Sequence, residues 1–338
     1  MKNLKLIAQQ MVCSGKGILA ADESTPTCTK RFTAHKLEST DSSRNEYRSN
    51  LFSTKNLEKF ISGVILFDET FHQNLQGTNT TIPQYLKEKN ILTGIKVDTG
   101  AKILANHNTE KITEGLDGLR ERLKAYKEKG ADFAKWRAVI TIGENIPSNA
   151  CIQSNAHSLA RYASLCQENE LVPIVEPEVL MEGSHSTQTC YDVTNQTLEK
   201  VFRELQLLKV DLEGIILKPN MVLPGSNSNE NISNEKIAEM TFDVLKRNVP
   251  QLVPGIAFLS GGQSSDLAAI RLNMINEKYK NEKKWNLTFS YGRALQEDAL
   301  TAWSSYKMKN DIVSRSQDAL MRRVKMNSEA SIGNLIFN

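Results

Sequence analysis

The sequence holds no stretch of 18 uninterrupted apolar residues, no CxxC pair, no histidine spaced with a second histidine or a cysteine as a metal ligand, and a formal charge of only +3 across 338 residues. Each absence removes a class of function. Without a long apolar stretch no helix can span a bilayer, and Met1-Lys2-Asn3-Leu4-Lys5-Leu6-Ile7 lacks the apolar core of a secretory signal. A near-balanced charge gives no electrostatic reason to expect nucleic acid or a membrane surface as a partner. The five cysteines, Cys13, Cys28, Cys151, Cys166 and Cys190, are odd in number and widely spaced. They point to reduced thiols in a cytoplasmic compartment. The five histidines, His35, His72, His107, His157 and His185, are scattered, so neither a structural nor a catalytic zinc site is expected. The remaining composition, 40% hydrophobic and 24% charged, is that of an ordinary globular protein.

Eight short apolar runs recur, each stopping on a charged or polar residue: Gly17 to Ser24, Gly63 to Thr70, Thr93 to Asp98, Ala131 to Val139, Leu171 to Glu178, Gly214 to Val222, Gly255 to Gln263 and Leu287 to Arg293. Their end residues Asp22, Asp68, Lys96, Lys135, Glu176, Lys218, Ser260 and Arg293 follow one another at steps of 28 to 46 residues. Each step has room for one helix and two loops. Helical periodicity lies between the runs, as in Leu116, Leu119, Leu123 and Tyr126 or Leu159, Tyr162, Ala163 and Cys166. Eight strands alternating with helices predict a (β/α)8 TIM barrel, and a chain of this length forms one as a single domain over residues 1–338. Ser226 to Glu235 reads as a surface loop. From about residue 304 the chain reads as a polar, mobile C-terminal tail with one helical stretch around Ala319 to Val324.

In such a barrel the C-terminal ends of the strands converge on one rim, where the active site forms. Lys96, Lys135, Lys218, Arg137, Arg293, Asp22, Glu176 and Glu178 would share it. Lys218 closes Ile215-Ile216-Leu217, a buried run cut off by Pro219. An ammonium there is costly unless paired, and the neutral amine is a nucleophile able to form a Schiff base with a carbonyl. The crowded cations Lys135 and Arg137 favour that neutral form, and the carboxylates supply acid and base. Glu176 and Glu178, two residues apart, share one strand face. Ser260-Gly261-Gly262 and Ser290-Tyr291-Gly292-Arg293 close the last two runs, where barrels of this class bind phosphate through backbone N–H groups and a cation. Asp68, Glu69 and Asp98 read either as site groups or as structural ion pairs.

Leu19-Ala20-Ala21-Asp22-Glu23-Ser24-Thr25, Gly94-Ile95-Lys96-Val97-Asp98, Asp132-Phe133-Ala134-Lys135-Trp136-Arg137, Ile174-Val175-Glu176-Pro177-Glu178, Leu217-Lys218-Pro219-Asn220-Met221-Val222, Phe258-Leu259-Ser260-Gly261-Gly262-Gln263 and Phe289-Ser290-Tyr291-Gly292-Arg293-Ala294-Leu295-Gln296 resemble, in order, the motifs of the class I fructose-bisphosphate aldolases. The resemblance implies reversible cleavage of fructose 1,6-bisphosphate to dihydroxyacetone phosphate and glyceraldehyde 3-phosphate, with no metal or other cofactor. It implies Lys218 as the Schiff-base lysine, Asp22 as the carboxylate assisting C3–C4 cleavage, and Glu176 as the acid/base for dehydration. Lys135 matches the lysine that polarises intermediates, with Glu178 as its charge partner. Ser260, Gly261, Gly292 and Arg293 correspond to the 1-phosphate site, and Ser24, Thr27, Lys30, Arg31, Lys96 and Arg137 to the 6-phosphate side. A homotetramer is expected on the same ground. Alternatives are a related ketose-phosphate aldolase with another sugar preference and a sugar-phosphate-binding scaffold; a metal-dependent aldolase fails for want of histidine ligands.

Three departures stand out. Pro26 follows Glu23-Ser24-Thr25 where the family has Gly, which stiffens the loop. Ser304-Ser305 replaces a Gly pair after Trp303. No tyrosine follows Tyr306, whereas many relatives end on one that reprotonates the enamine, so enamine protonation is expected to limit turnover unless another acid substitutes.

Overall fold

The computed structural model describes residues 2–107, 109–305 and 309–336, so Tyr306 and the terminal Phe337 and Asn338 lie outside the described residues. The chain begins α1 (Lys2–Met11), β1 (Gly17–Ala21), α2 (Thr25–Ala34), α3 (Asp41–Phe52), β2 (Ile61–Leu66), α4 (Asp68–Phe71), α5 (Ile82–Glu88) and β3 (Leu92–Lys96). A two-stranded antiparallel sheet follows, β4 (Gly100–Ile103) with β5 (Lys111–Glu114). Then come α6 (Leu119–Glu128), β6 (Phe133–Ile140), α7 (Asn149–Glu168), β7 (Val172–Val179), α8 (Thr187–Leu207) and β8 (Ile216–Leu217). The last part is α9 (Asn234–Asn248), β9 (Gly255–Phe258), α10 (Ser265–Lys278), β10 (Asn286–Tyr291), α11 (Arg293–Ser305) and α12 (Lys309–Ile332).

Eight strands close into a barrel in the order β1, β10, β9, β8, β7, β6, β3, β2, with every neighbouring pair parallel. This is a (β/α)8 TIM barrel, and each of the eight apolar runs supplies one of its strands. The small sheet of β4 and β5 was not anticipated, because its residues are largely exposed and carry no alternating apolar pattern. Helix starts follow local chemistry: Ser148, Ser186, Ser233 and Ser264 each cap α7, α8, α9 or α10 by accepting a hydrogen bond from the backbone N–H three residues on. Among the described residues no helix is long and apolar enough to cross a membrane.

Strand periodicity divides the barrel interior into two zones. At the N-terminal end Ile18 and Ala20 of β1, Ile65 of β2, Phe133 of β6, Val172 and Ile174 of β7, Ile216 of β8 and Ala257 of β9 form one cluster with Leu4, Ile7, Ala8, Met11 and Val12. Helix α1 thus plugs the bottom. Two residues further along the same faces the side chains turn charged: Asp22 after Ala20, Lys135 and Arg137 after Phe133, Glu176 and Glu178 after Ile174, Lys218 after Ile216.

The segment beyond Ser305 differs from the tail expected. Lys309–Ile332 is one 24-residue helix, α12, far longer than the Ala319 to Val324 stretch, and Ser316, Ala319, Leu320, Val324, Asn327, Ala330 and Ser331 are buried along it. The stripe has helical spacing, but three of these seven residues, Ser316, Asn327 and Ser331, are polar, so hydropathy conceals it. Ser316 illustrates how that polarity is satisfied: its Oγ accepts from Asn50 Nδ2 at 3.0 Å and donates to Ala299 O at 2.9 Å.

The aromatic ring of Phe133 fills the interior layer against Gly94, where an added Cβ would stand 2.1 Å from the ring, and against Gly63, where it would stand 3.0 Å away. Gly94→Ala therefore overpacks a fully buried layer. It is expected to destabilise the fold by about 1–3 kcal/mol, measured as a lower urea midpoint at unchanged slope.

Candidate active site

Lys218 owes its position to the end of β8. Its backbone N–H donates to Val175 O at 2.8 Å, which extends the ladder one residue beyond Leu217, and Pro219, lacking an N–H, stops it there. Asn220 ties the following loop back to the preceding strand and helix: its Oδ1 accepts from Val179 N of β7 at 3.0 Å and its Nδ2 donates to Thr194 Oγ1 of α8 at 3.2 Å. The Lys218 ammonium is held inside the rim, 4% exposed, with Nζ 3.1 Å from Glu176 Oε1. The other oxygen of Glu176 lies 3.2 Å from Lys135 Nζ, and Lys135 donates to Asp22 Oδ2 at 2.8 Å. Four side chains from four strands form one chain of alternating charge.

Burial works against each of these charges, and their neighbours overcome it. Desolvation would raise the Asp22 carboxyl, yet Lys135 and Lys218 hold it at about 2. Burial also opposes the ionised Glu176, and the same two ammoniums keep its pKa below the usual value. Lys135 is disfavoured by burial but is pushed above the ordinary lysine range by Asp22 and Glu176. The quartet therefore keeps Asp22, Glu176 and Lys135 ionised, and Glu176 stands within proton-transfer distance of Lys218.

The loops closing β9 and β10 form one side of the cavity. Gly261 and Gly262 take φ values of +57° and +83°, which only glycine adopts readily, and the Arg293 guanidinium stands 3.6 Å from where a Cβ on Gly262 would be. Backbone donors and a cation so arranged can hold a phosphate. Next to them in the cavity wall, since β1 pairs with β10, α2 presents Lys30 and Arg31, while Ser24 Oγ and Thr27 Oγ1 lie 3.1 Å apart at its start. Pro26 does not stiffen a loop, because it sits in the first turn of α2, where its missing N–H has no helical partner to lose. Lys96 Nζ is 2.6 Å from Asp98 Oδ1.

One cavity of about 1450 Å³ is lined by all fifteen residues singled out from the sequence: Asp22, Ser24, Thr27, Lys30, Arg31, Lys96, Lys135, Arg137, Glu176, Glu178, Lys218, Ser260, Gly261, Gly292 and Arg293. One pairing differs from expectation. Glu178 pairs with Arg137 Nε and not with Lys135, because Glu178 stands one inward position above Glu176 and meets the cation one inward position above Lys135. Lys218 likewise contacts a carboxylate and not the cations around it. Of the three undecided carboxylates, Asp98 pairs with Lys96 in the cavity wall, Glu69 binds Arg44 with Oε1 2.9 Å from Nε, and Asp68 accepts from Tyr126 OH at 2.6 Å.

Sequence reasoning missed the residues behind the site. Arg48, 2% exposed on α3, donates to Glu23 O at 2.6 Å and to Thr70 Oγ1 at 2.7 Å. Gln296 Nε2 donates to Ala20 O at 2.7 Å and to Glu23 Oε1 at 3.0 Å. These contacts fix the backbone on both sides of Asp22. Gln296 stood inside a quoted motif, whereas Arg48 sits among other helical charges and carries no local signal.

The depressed pKa of Asp22 has a testable consequence for stability. Its folded value, about 2, lies below the ordinary 3.8, so its contribution is complete above pH 3.8 and is lost as pH falls through 2. Asp22→Asn is expected to cost about 2 kcal/mol at neutral pH. In chemical unfolding the gap between variant and parent should shrink to roughly half at pH 3.

The family model described as "Glycolytic: Fructose-bisphosphate aldolase class-I" matches residues 3–337. A probable class 1 fructose-bisphosphate aldolase of Xanthomonas campestris pv. campestris is 49% identical over 96% of this chain and 96% of its own length. Fructose-bisphosphate aldolase 4, cytosolic, of Arabidopsis thaliana is 50% identical over 94% of this chain and 80% of its own length. A fructose-bisphosphate aldolase of Plasmodium falciparum, solved in a ternary complex with TRAP and a small-molecule inhibitor, has a TM-score of 0.96 at 46% identity, covering 100% of this chain and 96% of that one. With its barrel, its rim of alternating charges and a family match from residue 3 to residue 337, the chain belongs to the class I fructose-bisphosphate aldolases.

Proposed function

We propose that the quartet of Lys218, Glu176, Lys135 and Asp22 performs the reversible cleavage of fructose 1,6-bisphosphate, the lyase reaction of this family in glycolysis, through an imine on Lys218. The observation that carries the assignment is the 3.1 Å approach of Lys218 Nζ to a carboxylate that also faces Lys135. Attack requires the free amine, and Glu176 is placed to accept the proton that the ammonium must lose. The amine adds to the C2 carbonyl to give a carbinolamine. Glu176 then returns a proton to the C2 hydroxyl, water departs, and a protonated imine remains.

That imine is the electron sink. As the C4 hydroxyl gives up its proton to Glu176, which is a carboxylate again after the dehydration, the electrons of the C3–C4 bond pass into the imine, releasing glyceraldehyde 3-phosphate and leaving an enamine. Asp22, ionised at working pH, orients the C4 hydroxyl, and the Lys135 ammonium stabilises negative charge developing on oxygen. Protonation of the enamine at C3 and hydrolysis of the imine release dihydroxyacetone phosphate and restore Lys218. Glu178 holds Arg137 in the wall of the cavity. Ser260, Gly261, Gly292 and Arg293 take the 1-phosphate, while Ser24, Thr27, Lys30, Arg31, Lys96 and Arg137 face the 6-phosphate.

Two wider assignments belong to the same proposal. The chain works in the cytoplasm, as supported by relatives named cytosolic in Arabidopsis thaliana, and it assembles as a homotetramer, on the family resemblance. Lys218→Ala is expected to lower kcat by at least about 10³-fold, while titration calorimetry still detects fructose 1,6-bisphosphate binding. Turnover within tenfold of the parent would contradict the imine route.

A further inference from the structure

Arg31, on α2 beside the helix α11 that begins at Arg293, is already paired. Its Nη1 lies 2.5 Å from Glu23 Oε1 and its Nη2 lies 3.4 Å from Glu297 Oε2, so two carboxylates face one guanidinium. Its Nε is buried without a hydrogen-bond partner, which leaves a donor unused inside the cavity wall. The two carboxylates are held very differently. Glu23 is fixed from several sides, since Oε1 also accepts from Gln296 Nε2 at 3.0 Å, Oε2 stands 3.9 Å from Arg48 Nη2, and its side chain is only 15% exposed. Glu297, on the second turn of α11, has a side chain 41% exposed and reaches Arg31 at a longer distance. Its other oxygen is 3.2 Å from His35 Nε2, and His35 Nδ1 is 3.4 Å from Ser304 Oγ. A partly exposed pair at that separation is weak. Glu297 is therefore the partner that yields when a stronger anion arrives.

We propose that Glu297 is a positioning and specificity residue for the second phosphate: it holds Arg31 between α2 and α11 and competes with that phosphate for the guanidinium. The proposal rests on the assignment of Arg31 to the 6-phosphate side. A phosphate dianion offers more charge and more acceptor atoms than the carboxylate it displaces. Glu297 then remains nearby as a like charge opposing the dianion. A ketose carrying only the 1-phosphate meets neither the competition nor the repulsion. Glu297 thereby sets the ratio between the two substrates, and its carboxylate charge, not its shape, is the active feature.

The test compares kcat/KM for fructose 1,6-bisphosphate and fructose 1-phosphate in the full chain and in Glu297→Gln, which keeps an acceptor for Arg31 and removes the charge. The ratio of bisphosphate to monophosphate is expected to rise about threefold to tenfold, carried by a lower KM for the bisphosphate. An unchanged or lower ratio overturns the proposal, as does an equal change on both substrates, which marks a purely structural role. Arg31→Ala separates the premise from the inference. If that variant lowers the ratio, Arg31 does take the second phosphate and the Glu297 result stands on its own. If it treats both substrates alike, the placement of the phosphate has failed and the proposal falls with it.

Discussion

Glu176 stands between two buried ammoniums, 3.2 Å from Lys135 and 3.1 Å from Lys218, and the rest of the barrel keeps that arrangement intact. Two carboxylates, Asp22 and Glu176, balance two lysines inside a rim where none of the four side chains is more than about a tenth exposed. Removing one member leaves a buried charge uncompensated, so the four are stable only as a set. The quartet is neutral as a set. The substrate's phosphates must therefore be met by other cations, and Lys30, Arg31, Lys96 and Arg293 supply them around the cavity wall.

Charge at the rim depends on apolar packing below it. The inward faces of β1, β6, β7 and β8 carry aliphatic or aromatic residues where α1 seals the barrel and charged residues one or two inward positions higher. A register slip of one residue in any of these strands would turn both sets outward together. The fit of Phe133 over Gly94 and Gly63 pins β2, β3 and β6 against one another at that lower layer. Stability and catalysis thus share the same strand faces and the same register.

Much of this was legible before any coordinates. Eight buried apolar runs at helix-length spacing, carrying charges such as Lys135, Glu176 and Lys218, declare both the barrel and its rim, although β6 and β7 continue past Lys135 and Glu176 to Ile140 and Val179. Partnership was not legible, since Glu178 can be placed on the face of Glu176 from sequence but its choice of Arg137 over Lys135 depends on stagger between β6 and β7. Helix α12 was hidden for a different reason. Its buried stripe uses Ser316, Asn327 and Ser331, whose hydrogen bonds replace hydrophobicity as the ground for burial. The Arg48 contacts behind Asp22 and the Glu297 contact on Arg31 join residues 25 and 266 positions apart, a distance at which helical charges give no local cue.

The central claim is a covalent bond between substrate and one lysine nitrogen. Borohydride reduction in the presence of dihydroxyacetone phosphate, followed by mass spectrometry of the proteolytic peptides, reads that bond directly. The account predicts a stable adduct confined to the peptide carrying Lys218. An adduct on Lys135 or Lys96 instead, or an unmodified protein that still binds fructose 1,6-bisphosphate, would contradict it.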